Sequence, residues 1–96
     1  MDELIRLAID NMQLLEFYYD GGIRKVEPYC YGKTTKGNVA VRAYQIDGYS
    51  SSNKMGWKLF DLSKASSFRL SNDFFFSIRP DYKRGDRSML KIFLEL

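Results

Sequence analysis

Leu14-Leu15-Glu16-Phe17-Tyr18-Tyr19-Asp20-Gly21-Gly22-Ile23-Arg24-Lys25-Val26 is the stretch on which the fold turns. It opens on a run rich in aromatic side chains, which pack well on a pleated, half-buried surface. That run leads straight into Asp20-Gly21. An Asp-Gly step between two strand-like runs is a strong hairpin signal, because glycine accepts positive φ without steric penalty. The stretch predicts a strand, a tight turn and a second strand from Ile23 to about Tyr31. Pro28 has no N–H to give to a ladder, so the second strand is expected to lie at an edge or to bend there.

Working outward, residues 2 to 12 read as a short amphipathic helix. Leu4, Ala8 and Met12 are spaced by four, Ile5 and Ile9 likewise, and Asp2 and Glu3 stand where the helix dipole favours negative charge. Beyond the hairpin, Gly32 to Asn38 is a polar loop, Val39 to Ile46 a strand, Asp47 to Lys54 a loop of small polar residues, and Trp57 to Leu62 a further strand. Ser66 to Leu70 continues that strand or forms a short one of its own. Phe74-Phe75-Phe76 is an apolar cluster expected to be buried against the strands. At the C-terminal end Leu90, Ile92, Leu94 and Leu96 alternate as in a strand, while Met89, Ile92, Phe93 and Leu96 also fit a helical face; strand is the preferred reading. The expected fold is mainly β, a small open barrel of four to five antiparallel strands preceded by a short N-terminal helix. It forms one domain over residues 1–96, with the barrel at about 14–70 and a C-terminal extension at 71–96.

The chain has 45% hydrophobic and 28% charged residues, the balance of a folded protein, and its length suits one core. No apolar run approaches the roughly 20 residues that cross a bilayer, and the start is acidic, so a cytoplasmic chain with no membrane association is expected. There is no histidine, which removes the commonest general base and metal ligand. Cys30 is the single cysteine, and the acidic residues show no metal-ligand spacing. These features point away from an enzyme and from any metal or cofactor. The first 20 residues carry five acids against Arg6, which leaves +7 on the remainder of a chain with net charge +3. A basic remainder suits an anionic partner such as a nucleic acid or nucleotide, although ordinary solubility accounts for charge of this size as well.

Four matches in order resemble the WYL domain, a bacterial and phage module. They are the helix leading into the aromatic strand that ends on Asp20-Gly21, then Arg24-Lys25-Val26-Glu27-Pro28-Tyr29, then Val39-Ala40-Val41-Arg42-Ala43-Tyr44-Gln45, then Trp57-Lys58-Leu59-Phe60-Asp61-Leu62-Ser63-Lys64-Ala65. Val39-Ala40-Val41 holds the place of the family's name-giving tripeptide. The resemblance implies an Sm-like barrel. It also implies a role in transcription regulators or anti-phage defence systems, as a module that senses effectors, oligomerises or binds single-stranded nucleic acid or nucleotides. Within these 96 residues the DNA-binding domain that usually accompanies the family is not expected.

The resemblance places the ligand-facing basic residues at Arg24, Arg42, Lys58 and Lys64, with Tyr29 and Tyr44 beside them. Guanidinium groups hold phosphate oxygens bidentately and bases stack on aromatic rings, which is the chemistry such a face needs. The competing reading is a solvated strand face with cross-strand ion pairs to Glu16, Glu27 or Asp61, and tyrosines that serve packing. Trp57, Phe60 and Phe68 are assigned to the core. The Gly48 to Lys54 loop and the Arg79 to Arg87 stretch are read as a surface loop and a turn.

The leading expectation is a non-enzymatic regulatory module for a nucleic acid or nucleotide-like anion. A protein-interaction or homodimerisation subunit, built from the edge near Pro28, the Phe74-Phe75-Phe76 cluster and the C-terminal strand, is the alternative. A phage-derived inhibitor that imitates such a module is a third.

Overall fold

In the computed structural model, which describes residues 1–96, Asp20 and Gly21 adopt φ of 41° and 106° and join β1 (Gln13–Tyr19) to β2 (Gly22–Thr34). Two successive left-handed residues give the turn twist that matches the flanking strands. The register pairs Tyr19 with Gly22, Phe17 with Arg24 and Leu15 with Val26.

β2 is 13 residues long and changes partner along one edge. β1 covers that edge as far as Val26, and β6 (Met89–Glu95) takes it over from Cys30. The opposite edge is paired with β3 (Val39–Gly48). Pro28 falls in the gap between β1 and β6, where no ladder partner needs its missing N–H, and a register shift follows between Pro28 and Cys30. The expected bend is therefore present. Its effect is on which way side chains face: Val26 and Tyr31 lie in the main core, while Tyr29 and Cys30 belong to two separate clusters on the other side of the sheet.

The sheet runs β4 (Gly56–Asp61), β3, β2, β1, β5 (Ala65–Phe74), all antiparallel. In a flat sheet β1 and β4 would stand about 14 Å apart, three strand spacings. Instead the rings of Phe17 on β1 and Phe60 on β4 lie 5.0 Å apart, edge to face. The Asp61 N–H also donates to the Tyr19 hydroxyl at 3.3 Å. The sheet is thus curled into an open barrel, and a 3-10 turn, Leu62–Lys64, carries the chain from β4 to β5 without a ladder to close it. These five strands are the expected strip. The C-terminal alternation gives a sixth strand, which docks on β2, and Gly32 makes that possible, because a Cβ there would collide with the Lys91 carbonyl.

The helix α1 (Asp2–Asn11) ends at Met12, whose φ is 51°. Ile5, Ala8 and Ile9 face the barrel and join Leu15, Phe17, Val26, Val41 and Phe60 in the main core. The Tyr31 hydroxyl donates to Asp2 at 2.7 Å and ties the helix start to β2.

Residues 75–88 form a strap, without a strand or helix of its own, over the outer face of the sheet. Under it Leu14, Tyr29 and Phe75 make a second apolar cluster, with Tyr44, Trp57 and Tyr82 packed on it. Two expectations are corrected here. The Phe74-Phe75-Phe76 triplet is not buried as a unit: β5 runs to Phe74, only Phe75 turns inward, and Phe76 is 91% exposed. Trp57 packs on the outer cluster, its indole N–H donating to Asp81 at 2.8 Å, whereas Phe60 is buried in the main core and Phe68 packs against it. No helix is long and apolar enough to cross a membrane.

Candidate anion-binding site

Alternation along β3 turns Val41, Ala43 and Gln45 into the barrel, and along β4 it does the same for Lys58 and Phe60. At one end of the barrel the apolar layers give out. Tyr19 from β1, Arg24 from β2, Gln45 from β3 and Lys58 from β4 form its mouth, and the loop Tyr49 to Met55 borders it. A cavity of about 430 Å³ opens there, lined by Tyr19, Asp20, Arg24, Ser51, Ser52, Lys54, Met55, Trp57, Lys58, Leu59 and Phe60.

Arg24 is only 4% exposed, yet no carboxylate pairs with it. Its Nε donates to the Tyr19 carbonyl at 3.1 Å, one terminal nitrogen to the Asp20 carbonyl at 3.3 Å, and the other to Gln45 Oε1 at 3.3 Å. Its guanidinium lies 5.3 Å from the ring centroids of Tyr19 and Tyr49 and 6.0 Å from that of Phe60. Lys58 Nζ donates to the same Gln45 Oε1 at 3.0 Å and to Ser50 Oγ at 2.8 Å. Burial, and then the neighbouring Arg24 charge, hold the Lys58 ammonium below its ordinary pKa of 10.5. Two cations thus converge on one neutral oxygen. Uncompensated charge removed from water is costly, and such arrangements concentrate at functional sites.

No known protein family, curated protein or solved structure matches the chain.

Of the six residues singled out from sequence, the fold brings Arg24 and Lys58 together and separates the other four from them. Lys64 is exposed on the turn between β4 and β5. Arg42 faces outward, and its guanidinium holds Asp86 at 2.7 Å and 3.4 Å and the Ser88 hydroxyl at 3.1 Å. Burial alone would raise the Asp86 carboxyl, but hydrogen bonds from Arg42 and Ser88 outweigh it and leave the group below the ordinary carboxylate value. Tyr29 is fully buried under the strap, and its hydroxyl donates to Glu27 at 3.2 Å and accepts from the Arg79 N–H at 3.1 Å. The Arg79 guanidinium grips the Glu27 carboxylate at 2.9 Å and 3.1 Å and sits 3.5 Å from the centroid of the Tyr44 ring. On this outer face basic residues do form ion pairs, but not the expected cross-strand ones: none of Arg24, Arg42, Lys58 and Lys64 pairs with Glu16, Glu27 or Asp61, and the pairs Glu27 with Arg79 and Asp86 with Arg42 run from strand to strap.

Cys30 is fully buried, and burial, then the charges of Glu95 and Asp86, push its thiol up to about 12, which removes thiolate reactivity. No group of three or more His, Cys, Asp and Glu side chains is arranged to hold a metal ion. Tyr19, Gln45 and the Tyr49 to Lys54 loop, which the sequence presents as a plain surface loop, are site residues that the sequence reading did not place there. The available signal for Gln45 was its parity, since a polar residue continues the inward-facing set Val41 and Ala43.

Proposed function

We propose that the chain is a non-enzymatic binding module whose barrel mouth takes an anionic group of a nucleotide-like or nucleic-acid ligand through Lys58 and Arg24, with Lys54, Ser51 and Ser52 at the rim. The observation that carries this reading is the convergence of Arg24 and Lys58 on the neutral Gln45 oxygen, with no carboxylate between them. An incoming anion would supply the missing counter-charge. The aromatic walls suit a ligand with a planar or apolar body, and the cavity volume falls within the usual range of small-molecule sites. The resemblance to the WYL domain supports placing such a module in a regulatory or defence-related complex in the cytoplasm. In that setting Arg42, Tyr29 and Tyr44 brace the outer face and Lys64 adds to the basic field.

The test is a titration with inorganic phosphate, adenosine monophosphate and a single-stranded oligonucleotide at low and raised salt. At least one should bind, with affinity that falls as salt rises. Lys58→Ala should weaken it about tenfold or more while Arg42→Ala leaves it near the parent value. Binding by none of them, or equal binding by Lys58→Ala, defeats the assignment.

A second reading, a protein-interaction or homodimerising subunit, draws on exposed apolar side chains near the strap and on β6. Phe76 is 91% exposed and Leu90 71%. Light scattering across a wide concentration range addresses it, since a mass that stays monomeric removes the homodimer.

A further inference from the structure

The charges at the mouth do more than suggest an anion; they count it. Three cations, Arg24, Lys54 and Lys58, line the cavity against one carboxylate, that of Asp20, which makes no ion pair. That leaves an excess of two positive charges. Gln45 preserves the excess. Its Nε2 donates to the carbonyls of Asp47 at 3.0 Å and Tyr49 at 2.8 Å, which fixes the amide so that Oε1 faces both cations. The amide orients Arg24 and Lys58 without neutralising either. A glutamate in this fully buried position would supply a permanent internal anion.

Donor capacity remains at the same place. Arg24 spends three of its five N–H donors and Lys58 two of its three. The Ser51 and Ser52 hydroxyls stand on the rim, and the Tyr49 and Tyr19 rings back the Arg24 guanidinium. Every arginine except Arg24 and Arg87 is in an ion pair, so beyond the mouth a phosphodiester strand would meet free lysines but no track of unpaired arginines.

Resting on the anion-binding reading above, we infer that the mouth selects a terminal phosphate monoester on a small molecule, a single dianionic group, over a phosphodiester strand, and that Gln45 is the positioning residue that sets this preference. A monoester near neutral pH carries close to two negative charges, because its second ionisation lies at about 6, whereas each diester carries one. The dianion matches the excess charge. It places its oxygens against Lys58, Lys54 and the rim hydroxyls, with the Arg24 charge behind them. The charged and titratable groups that face it are Asp20 on the β1–β2 turn, Tyr19 on β1, Arg24 on β2, Tyr49 and Lys54 on the loop and Lys58 on β4.

The experiment compares adenosine monophosphate, its methyl ester and an oligothymidylate without terminal phosphates, by calorimetry with the full chain. At pH 7.5 the monoester should bind about tenfold or more tightly than the methyl ester, one extra charge met at close range. That advantage should vanish as pH falls through about 6, where the monoester takes up its proton. Gln45→Glu should abolish the advantage at neutral pH. Lys58→Met, which lowers the cation count and leaves the amide in place, should shrink it too and covers the case in which Gln45→Glu does not fold. Equal binding of monoester and methyl ester overturns the inference, as does tighter binding of the oligothymidylate. In both outcomes the anion site itself survives if Lys58→Met weakens binding. Failure of all three ligands and of inorganic phosphate removes the anion site, and this inference with it. A monoester preference unchanged in a folded Gln45→Glu protein removes the role given to Gln45.

Discussion

The two faces of the sheet treat positive charge in opposite ways. On the outer face each prominent guanidinium has a carboxylate to itself: Arg79 holds Glu27 and Arg42 holds Asp86, each through two nitrogens. At the barrel mouth Arg24 and Lys58 share one amide oxygen, and no acid intervenes. Paired charges of the first kind fasten the strap to the sheet. Unpaired charges of the second kind cost stability and make sense if a ligand completes them. Basic residues on neighbouring strands of one small sheet therefore fall into a class paired with carboxylates and a class without them, and the second is the one for which binding is proposed.

The sharpest way to break the comparison is to unmatch a fastened pair. Glu27→Gln leaves Arg79 partly buried without its counter-charge and should cost about 3 kcal/mol, read from urea unfolding. Loss of less than about 1 kcal/mol would place Glu27 and Arg79 among ordinary surface pairs. Gly32→Ala attacks the strap's far anchor, since the added Cβ drives into the Lys91 carbonyl of β6. It should cost about 2 kcal/mol and increase hydrogen exchange in β6 while that of the β1–β2 hairpin stays near the parent rate.

Acid provides a more selective probe. The Asp86 carboxyl is held below its ordinary value of 3.8 in the folded chain, so its contribution is complete above that value and is lost as pH falls through and below it. Asp86→Asn, which strands the partly buried Arg42, should remove about 2 kcal/mol at neutral pH and flatten the decline in urea midpoint between neutral and acid pH. An identical pH profile in parent and variant would show that Asp86 plays no part in the acid response. The smallest effect belongs to the mouth. Lys58→Met relieves its repulsion with Arg24 and should shift stability by no more than about 1 kcal/mol, in the stabilising direction. A cost as large as that of Glu27→Gln would mean that the mouth cations are structural too.

Much of the fold was legible because local chemistry forces it. Asp20-Gly21 dictates the hairpin, the 2-to-12 periodicity dictates the helix, and Pro28 marks the place where β2 changes partner. The candidate binding face was only half legible, for a geometric reason. Side-chain direction in a strand follows from parity, and two register shifts reset it, one with the extra residue Ile46 in β3 opposite Lys25/Val26 and one with the extra residue Tyr29 in β2 between Pro28 and Cys30. Tyr29 and Cys30 consequently share the outer side, and Arg24 and Arg42 end on opposite faces although both lie in strands at basic positions. Of the strap, the turn at Arg79 to Arg87 was legible and the path was not. Residues 75–88 have no period, and their path is set by long-range partners such as Glu27, Tyr29 and Arg42, which no local pattern announces. Gln45 shows the same limit from the other side, because an amide carries neither charge nor ring and its importance lies in what it joins.

The most direct test of the division between faces is a phosphate titration followed by nitrogen-detected magnetic resonance of the Arg side chains and the backbone amides. Saturable shifts are expected at Arg24 Nε, Gln45, Lys58 and the Ser50 to Lys54 loop, with Arg42 and Arg79 unmoved. Shifts centred on Arg42, Arg79 and the strap, or none that saturate, would contradict it.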